Sequence, residues 1–233
     1  MGLFDIFKTP EEARPKADKL VVPGEEVEEL DDTELEEPDF DDSKCAPADR
    51  AERGPFDSEE ATLEGPMVDL GSLRIPAREG MGLRLEVEEK TKRLVAVALD
   101  YRESTVQVQA FASPRSTGLW NRIRVQLAEQ VEQQGGSARE LETDLGIELE
   151  TRLPLMAGAP DGAYRAARFI GVDGPRWFLR AVLSGKALHD EDAAREVEEL
   201  FRSIIVVRGD RPIPPRDLLP IQIPEAMAQQ LGK

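Results

Sequence analysis

The alternation of apolar and polar residues predicts a run of strands in the first half of the ordered region. Residues 83–88 alternate strictly between apolar and charged side chains, which is the period of a half-buried strand. Residues 94–101 are apolar on both faces and predict a strand covered on both sides. Residues 105–112 alternate again. The spacing of these three segments predicts an antiparallel meander, preceded by one extended segment over residues 68–75.

The hydrophobic period changes to that of a helix in the middle of the chain. Apolar residues recur at helical spacing at Trp120, Ile123, Leu127 and Val131. The glycine pair at 135–136 predicts the end of this helix. A strand is predicted over residues 146–153, a second helix over 192–203, and a short final strand over 204–207.

The clearest hairpin signal lies between residues 168 and 183. Asp173-Gly174 is a dipeptide favoured in two-residue type I′ turns, in which both central residues have positive φ. Pairing across this turn divides the hairpin between two faces. One face collects Ile170, Val172, Trp177, Leu179, Ala181 and Leu183, and the other collects Phe169, Gly171, Arg176, Phe178, Arg180 and Val182. Strands joined mainly by hairpins, with two helices between them, predict an α+β fold: a mainly antiparallel sheet with two packed helices.

The charge of the chain is concentrated at its beginning. The formal net charge is −17, and residues 1–66 hold 22 of the 47 acidic and 7 of the 30 basic residues, which gives this segment a net charge of −15. So acidic a segment, with few apolar residues, cannot bury enough surface to offset its conformational entropy. We therefore predict a disordered acidic tail over residues 1–66 and an α+β domain over 67–210. Residues 211–233 are predicted to be a proline-rich extension packed on the domain, although a polyproline ligand is the alternative.

The sequence contains no recognisable catalytic, cofactor-binding or metal-binding motif. The single cysteine, Cys45, rules out an intrachain disulfide and a cysteine metal cluster. The single histidine, His189, lies beside Asp190 at a predicted helix start, where a surface residue is favoured over a general base. No apolar stretch reaches the roughly 20 residues of a membrane span, and the N-terminus lacks the features of a signal peptide. These features predict a cytoplasmic protein that is not an enzyme.

Arginine supplies 19 of the 23 basic residues after position 66. A genomic composition bias explains this excess without any function. The alternative is a contact surface, because guanidinium groups beside aromatic rings anchor protein or anionic partners. An apolar cluster near the N-terminus (Leu3, Phe4, Ile6 and Phe7) is either a linear motif that folds in a partner's groove or a frayed terminus. The candidate partner-binding residues are Arg168, Arg176, Phe178, Arg180, Phe4 and Phe7.

Five motifs carry a resemblance to a known family. In order along the chain they occupy residues 69–76, 109–115, 168–180, 206–210 and 214–216. Together they resemble the actinobacterial family of uncharacterised proteins called domain of unknown function 3710, over about Val68 to Pro224. The resemblance implies an actinobacterial source and a cytosolic protein, and it implies no activity. Separately, the order of elements is similar to the fold of the photosystem PsbP proteins and the Ran-binding Mog proteins.

Three classes of function follow from these features. We expect a non-enzymatic binding or adaptor module with an acidic disordered arm and an unknown protein partner. The alternative is a nucleic-acid or nucleotide-associated regulator whose acidic tail masks an Arg-rich face. The nearly neutral charge of the domain argues against strong DNA binding by the domain itself, because that affinity scales with the number of phosphates neutralised. The third class is an enzyme that acts through carboxylates or arginines in a cleft formed only in the folded chain.

Overall fold

Two β-sheets and the helices that flank them make up the described structure. The computed structural model describes residues 41–89, 91–155 and 162–224. The helices are α1 (Arg50–Arg53), α2 (Trp120–Gln133) and α3 (Glu191–Arg202), and a 3₁₀ turn covers Lys186–Leu188. The strands are β1 (Phe56–Asp57), β2 (Met67–Asp69), β3 (Leu73–Pro76), β4 (Gly82–Val87), β5 (Leu94–Tyr101), β6 (Ser104–Ala112), β7 (Ser137–Thr143), β8 (Gly146–Pro154), β9 (Tyr164–Asp173), β10 (Trp177–Gly185) and β11 (Ile205–Val206).

The larger sheet has seven strands in the order β4-β5-β6-β10-β9-β8-β7, and every neighbouring pair is antiparallel. The predicted meander is present as β4, β5 and β6. The smaller sheet has the order β1-β11-β3-β2, with β1 parallel to β11. This architecture confirms the predicted α+β class with mainly antiparallel sheets. Within the described ranges, no helix is both long enough and apolar enough to cross a membrane.

One face of the larger sheet forms the hydrophobic core, and we call it the core face. Its hairpin residues are those that alternation placed together, namely Ile170, Val172, Trp177, Leu179, Ala181 and Leu183. The same core cluster includes Leu73 of β3, Val206 of β11 and Phe201 of α3. The smaller sheet and α3 therefore cover the core face, and Trp177 is a core residue, as expected.

The opposite face of the larger sheet carries α2, and we call it the α2 face. It presents Phe169, Gly171, Phe178, Arg180 and Val182 from the hairpin. The helix packs mainly on β7, β8 and β9, and the Trp120 ring stacks on Phe178 with 6.0 Å between ring centroids. Gly171 is required beneath this ring, because a Cβ there would lie 2.2 Å from Trp120 Cδ2. The sheet is thus covered on both sides along β9.

The predicted type I′ turn at Asp173-Gly174 is wrong. Asp173 is the last residue of β9 and pairs with Phe178 of β10, and the connection between the two strands covers residues 174–176. Neither Asp173 nor Gly174 has a positive φ. The glycine is needed for space instead, since a Cβ at Gly174 would lie 2.1 Å from Trp177 Cε2. The predicted faces are nevertheless correct, because the true register differs from the predicted one by an even number of residues.

The predicted disordered tail over residues 1–66 is wrong for residues 41–66. Phe56 is buried, and β1 pairs with β11 at Phe56 and Ile205. The Trp177 indole donates a hydrogen bond of 2.7 Å to Asp57 Oδ2 in the buried interior. These contacts could not be predicted from the sequence, because a two-residue strand between acidic neighbours has no detectable hydrophobic period. Residues 1–40 lie outside the described residues.

Two further elements differ from the prediction. The single extended segment expected over residues 68–75 is two antiparallel strands, β2 and β3. β7 was not predicted, because this edge strand is polar on both sides and has no alternation to detect. Of the predicted extension over residues 211–233, the described part (211–224) contacts the domain: Leu219 is buried, and its backbone N–H donates to the Ala110 carbonyl of β6 at 2.8 Å. This part thus continues the sheet beside β6. Residues 225–233 lie outside the described residues.

Candidate functional site

Two of the predicted contact residues are buried beneath or beside α2. Phe178 is 0% exposed, between the rings of Trp120 and Phe111. Arg180 is 8% exposed. The surface that alternation assigned to a partner is therefore part of the interior of the folded chain. The alternation of apolar and polar residues identified the face correctly, but it did not predict that α2 packs on that face.

Arg180 belongs to a layer of side chains lying flat on the α2 face. Its guanidinium lies 5.3 Å from the centroid of the Phe111 ring, and its Nη2 donates to Gln109 Oε1. Gln109 in turn donates from Nε2 to the Val95 carbonyl at 3.0 Å. Burial lowers the pKa of Arg180 to about 10, so the guanidinium keeps its proton at neutral pH. This layer places one buried positive charge on the α2 face.

Arg168 lies on the core face, beside a buried carboxylate. Its Nε is 3.7 Å from Glu148 Oε2, an ion-pair distance at which no hydrogen bond is formed. Glu148 is 4% exposed, and its Oε1 accepts a hydrogen bond of 3.0 Å from the Thr143 hydroxyl. Burial raises the pKa of Glu148 to about 7, although the Thr143 hydrogen bond and the Arg168 charge oppose the rise. Arg168 is therefore paired inside the fold, and Glu148 was not identified from the sequence.

The remaining predicted contact residues are not brought into a common surface. Arg176 is half-buried in the β9–β10 connection, where its carbonyl accepts from the Ser113 backbone N–H at 3.0 Å. Phe4 and Phe7 lie outside the described residues. Arg168 lies on the core face, whereas Phe178 and Arg180 lie on the α2 face, and all three are largely buried. They therefore do not form the exposed Arg-rich face that was expected.

Asp173 holds together a second buried polar cluster. Its carboxylate accepts backbone hydrogen bonds from Leu119 at 2.8 Å, from Trp120 at 3.3 Å and from Cys45 at 3.1 Å. Asp173, at the end of β9, thereby caps the N-terminus of α2. This role explains why Asp173 does not form the predicted two-residue turn. Burial raises the pKa of Asp173, against the effect of these three hydrogen bonds. The cluster has a structural role, because the Asp173 carboxylate oxygens already accept hydrogen bonds from backbone N–H groups of the same chain.

Cys45 lies in the same cluster. Its Sγ donates to Asn121 Oδ1 at 3.0 Å, and burial raises the pKa of the thiol. A raised pKa keeps the sulfur protonated and weakly nucleophilic. Neighbouring Lys44 donates from Nζ to the carbonyl oxygens of Gly174 and Pro175. These contacts tie residues 44–45 to the β9–β10 connection.

Exposed aromatic, apolar and cationic side chains lie at the loop end of the β8–β9 hairpin, on both of its faces. We call this end of the hairpin the hairpin-end patch: Arg152 and Tyr164 on one face and, by the register of the strands, Leu155 and Arg165 on the other. Tyr164 is 51% exposed and Leu155 is 42% exposed. The Arg152 guanidinium lies 5.3 Å from the centroid of the Tyr164 ring. The exposed groups are held on a hydrogen-bonded scaffold, because Leu155 N–H donates to the Ala163 carbonyl at 2.9 Å.

Comparison with family models supplies one match. The model described as "Protein of unknown function (DUF3710)" matches residues 54–230. The chain belongs to this family. No curated protein and no solved structure matches the chain.

The family model covers some of the sites described above and leaves out others. It begins at Gly54, before β1, and so includes the strand that the predicted tail boundary left out. It spans Glu148, Asp173 and the whole hairpin-end patch, and it leaves out Cys45. Within the described ranges, no group of three or more His, Cys, Asp or Glu side chains is arranged to hold a metal ion.

Proposed function

We propose that this chain is a non-enzymatic binding module that contacts its partner through the hairpin-end patch. The observation that carries the proposal is the exposure of Tyr164 and Leu155, at 51% and 42%, at the same end of the hairpin as Arg152 and Arg165. Tyrosine and arginine are enriched among the residues that dominate protein interfaces. Side chains exposed on a hydrogen-bonded hairpin require little ordering of the backbone when a partner binds.

The chemistry of the patch defines the partner. Tyr164 and Leu155 offer apolar area, and the two arginines beside them offer fixed hydrogen-bond donors. Glu150 Oε1 lies 3.5 Å from Arg152 Nη2 and offsets part of the positive charge of the patch. A protein surface that combines an apolar contact with one or two carboxylates fits this arrangement. A long polyanion fits it less well, because few exposed cations are gathered there.

The alternative function, a nucleic-acid-associated regulator masked by the acidic tail, needs a different surface from the one first expected. Arg168 is ion-paired and Arg180 is buried, so neither offers an open guanidinium to phosphates. Arg152 stacked on Tyr164 is the arrangement that remains for it, since aromatic rings with arginines bind single strands by stacking. The experiment below separates the two.

The experiment is affinity capture by the full-length chain from native lysate of the source organism. A patch variant, Leu155→Ser with Tyr164→Ser and Arg152→Glu, is compared with a control variant, Leu63→Ser, which removes an exposed leucine elsewhere. We expect a protein that wild type and control capture equally and that the patch variant loses. Retention by the patch variant contradicts the proposal. Loss of the captured material after nuclease treatment favours the regulator.

Three further expectations, on fold similarity, origin and location, accompany the proposal. The order of elements supports a fold similar to the PsbP and Mog proteins, and this similarity stays a prediction. The sequence motifs support an actinobacterial origin. A cytoplasmic location stays a prediction from the sequence. A fold similarity of this kind does not determine a function, so the proposal rests on the patch alone.

A further inference from the structure

β4 is an edge strand of the larger sheet. Among the described strands it pairs with β5 alone, so one side of its backbone meets no other described strand. Leu83 and Leu85 pack against the core, whereas Arg84 is exposed on the α2 face, opposite Ala98. Val87 is 46% exposed at the end of the strand. An open edge of this kind can pair with a strand from another chain.

The turn after β5 shows which backbone groups of β4 point outward. It consists of two residues with positive φ, so Tyr101 before it forms hydrogen bonds with the first residue of β6. The direction of these bonds alternates along a strand, and the even-numbered residues of β5 therefore bond to β4. Before the register shift they lie opposite even-numbered residues of β4. Glu88 continues that series through its backbone bonds to residues 92 and 93. The N–H and C=O groups of Leu83, Leu85 and Val87 consequently point away from β5.

We propose that β4 pairs antiparallel with β4 of a second copy of this chain, about a two-fold axis that relates the two Leu85 residues. In this register Leu85 meets the partner's Leu85, and Leu83 meets the partner's Val87, with their outward N–H and C=O groups bonded in pairs. The exposed Val87 side chain gains an apolar neighbour. The two larger sheets thereby join into one, as in other complexes that add a strand to a sheet edge. This inference is independent of the hairpin-end patch.

Two opposite charges make the edge complementary to itself. Arg84 and Glu86 are two residues apart on β4 and share the α2 face. The proposed register places each Arg84 opposite the partner's Glu86, in a non-hydrogen-bonded pair, where side chains approach most closely. A slip by two residues in either direction places two arginines or two glutamates opposite each other, which is destabilising. The charges therefore favour this one register between two copies of the chain.

Arg84 and Glu86 both keep polar atoms for this contact. Arg84 donates to Asp100 from Nε at 2.7 Å and from Nη2 at 3.0 Å, and its Nη1 has no hydrogen-bond partner among the described residues. Glu86 Oε2 accepts from Gln107, and Oε1 accepts from no described residue. The ion pairs of the dimer can therefore form without breaking these bonds within each protomer.

The proposed dimer is weak and leaves the hairpin-end patch free. One strand from each protomer makes a small interface, so we expect a dissociation constant on the order of 10 μM. β8 and β9 lie toward the other end of the sheet order from β4. The dimer thus presents two hairpin-end patches, which strengthens binding to a partner that has two matching sites.

The test is sedimentation equilibrium of the full-length chain. Physiological ionic strength is used, because the net charge of −17 on each chain opposes association when it is not screened. We expect wild type to pass from monomer to dimer as its concentration rises to about 0.5 mM. Arg84→Glu and Glu86→Arg are each expected to weaken the dimer about tenfold, because each places like charges opposite one another. Arg139→Glu is the matched control on the other edge strand, β7, and is expected to leave the dimer unchanged.

A mixture of the two β4 variants tests the register itself. The Arg84→Glu chain has two acids on this face of β4 and the Glu86→Arg chain has two arginines, so an equimolar mixture is expected to regain the dimer that each variant loses. Circular dichroism checks that both variants are folded. Glu86→Arg keeps the contact between Arg84 and Asp100, and it stays informative if Arg84→Glu disturbs the fold.

Three results overturn the proposal. The first is a wild-type chain that remains monomeric at about 0.5 mM, which would leave the edge to a strand from another protein. The second is a Glu86→Arg chain that dimerises as wild type does. The third is a mixture of folded variants that associates no better than either variant alone. Loss of the dimer in Arg139→Glu with no loss in the β4 variants would assign the contact to β7, and the proposal would be wrong.

Discussion

Glu148→Gln is expected to stabilise the protein above neutral pH and to have little effect in acid. The carboxyl is buried among Thr143 of β7, Arg168 of β9 and Glu198 of α3. Its Oε2 accepts no hydrogen bond from any described residue. The charged form is therefore poorly compensated, and glutamine keeps the shape and an acceptor for the Thr143 hydroxyl without the charge.

The magnitude follows from the pKa. Burial raises the pKa of Glu148 from 4.5 to about 7. The folded state then binds more protons than the unfolded state between these two values, so the free energy of unfolding falls as pH rises through that window. One pKa unit corresponds to about 1.36 kcal/mol, which gives a loss of roughly 3 kcal/mol above the window. The attraction of Arg168 is already contained in this pKa. A gain of about 3 kcal/mol is therefore expected for the glutamine variant near pH 8.

The assay is chemical denaturation of both proteins across the pH range on either side of this window. Taking the difference between variant and wild type removes the contribution of the other titrating groups. Glu150→Gln is the matched control, because it lies two residues away on the same face of β8 and makes the same change in charge. The control is expected not to reproduce the gain above neutral pH, because Glu150 is ion-paired with Arg139 and Arg152. A Glu148→Gln difference that does not vary with pH refutes the reasoning.

The other predictions concern contacts that hold the ends of elements together, each measured by denaturant unfolding. Asp173→Ala leaves three buried amide groups without an acceptor and should cost about 2 to 4 kcal/mol; a cost under 0.5 kcal/mol would show that water replaces the carboxylate. Gly174→Ala should cost about 1 to 3 kcal/mol, because its Cβ would collide with the Trp177 ring; an unchanged midpoint contradicts that role. Removing residues 1–57 should destabilise the fold more than removing 1–40, because only the former deletes β1 and the Asp57 acceptor of Trp177. Equal denaturation midpoints for the two truncated proteins would instead support the predicted tail boundary near Met67.

Local patterning was sufficient for most of the elements. A strand with one buried face has an apolar residue at every second position, and a helix has one at every third or fourth, so the β4–β5–β6 meander, α2 and α3 could be predicted from the sequence. The same alternation placed Trp177 on the core face. Family membership also follows from local motifs, because each is a short stretch of sequence.

The sites depended on contacts between residues far apart in the chain. Asp173 looked like a turn residue because its neighbour is glycine, and only the approach of α2 makes it a cap. Arg180 and Phe178 stood on a face that alternation identified, but whether such a face meets solvent depends on what packs on it. The pKa of Glu148 is likewise set by the strands and helix that remove water from it. Sequence periodicity therefore determined which side chains share a face, whereas tertiary packing alone decided which faces are dry, because burial is a property of the neighbours that the fold brings near.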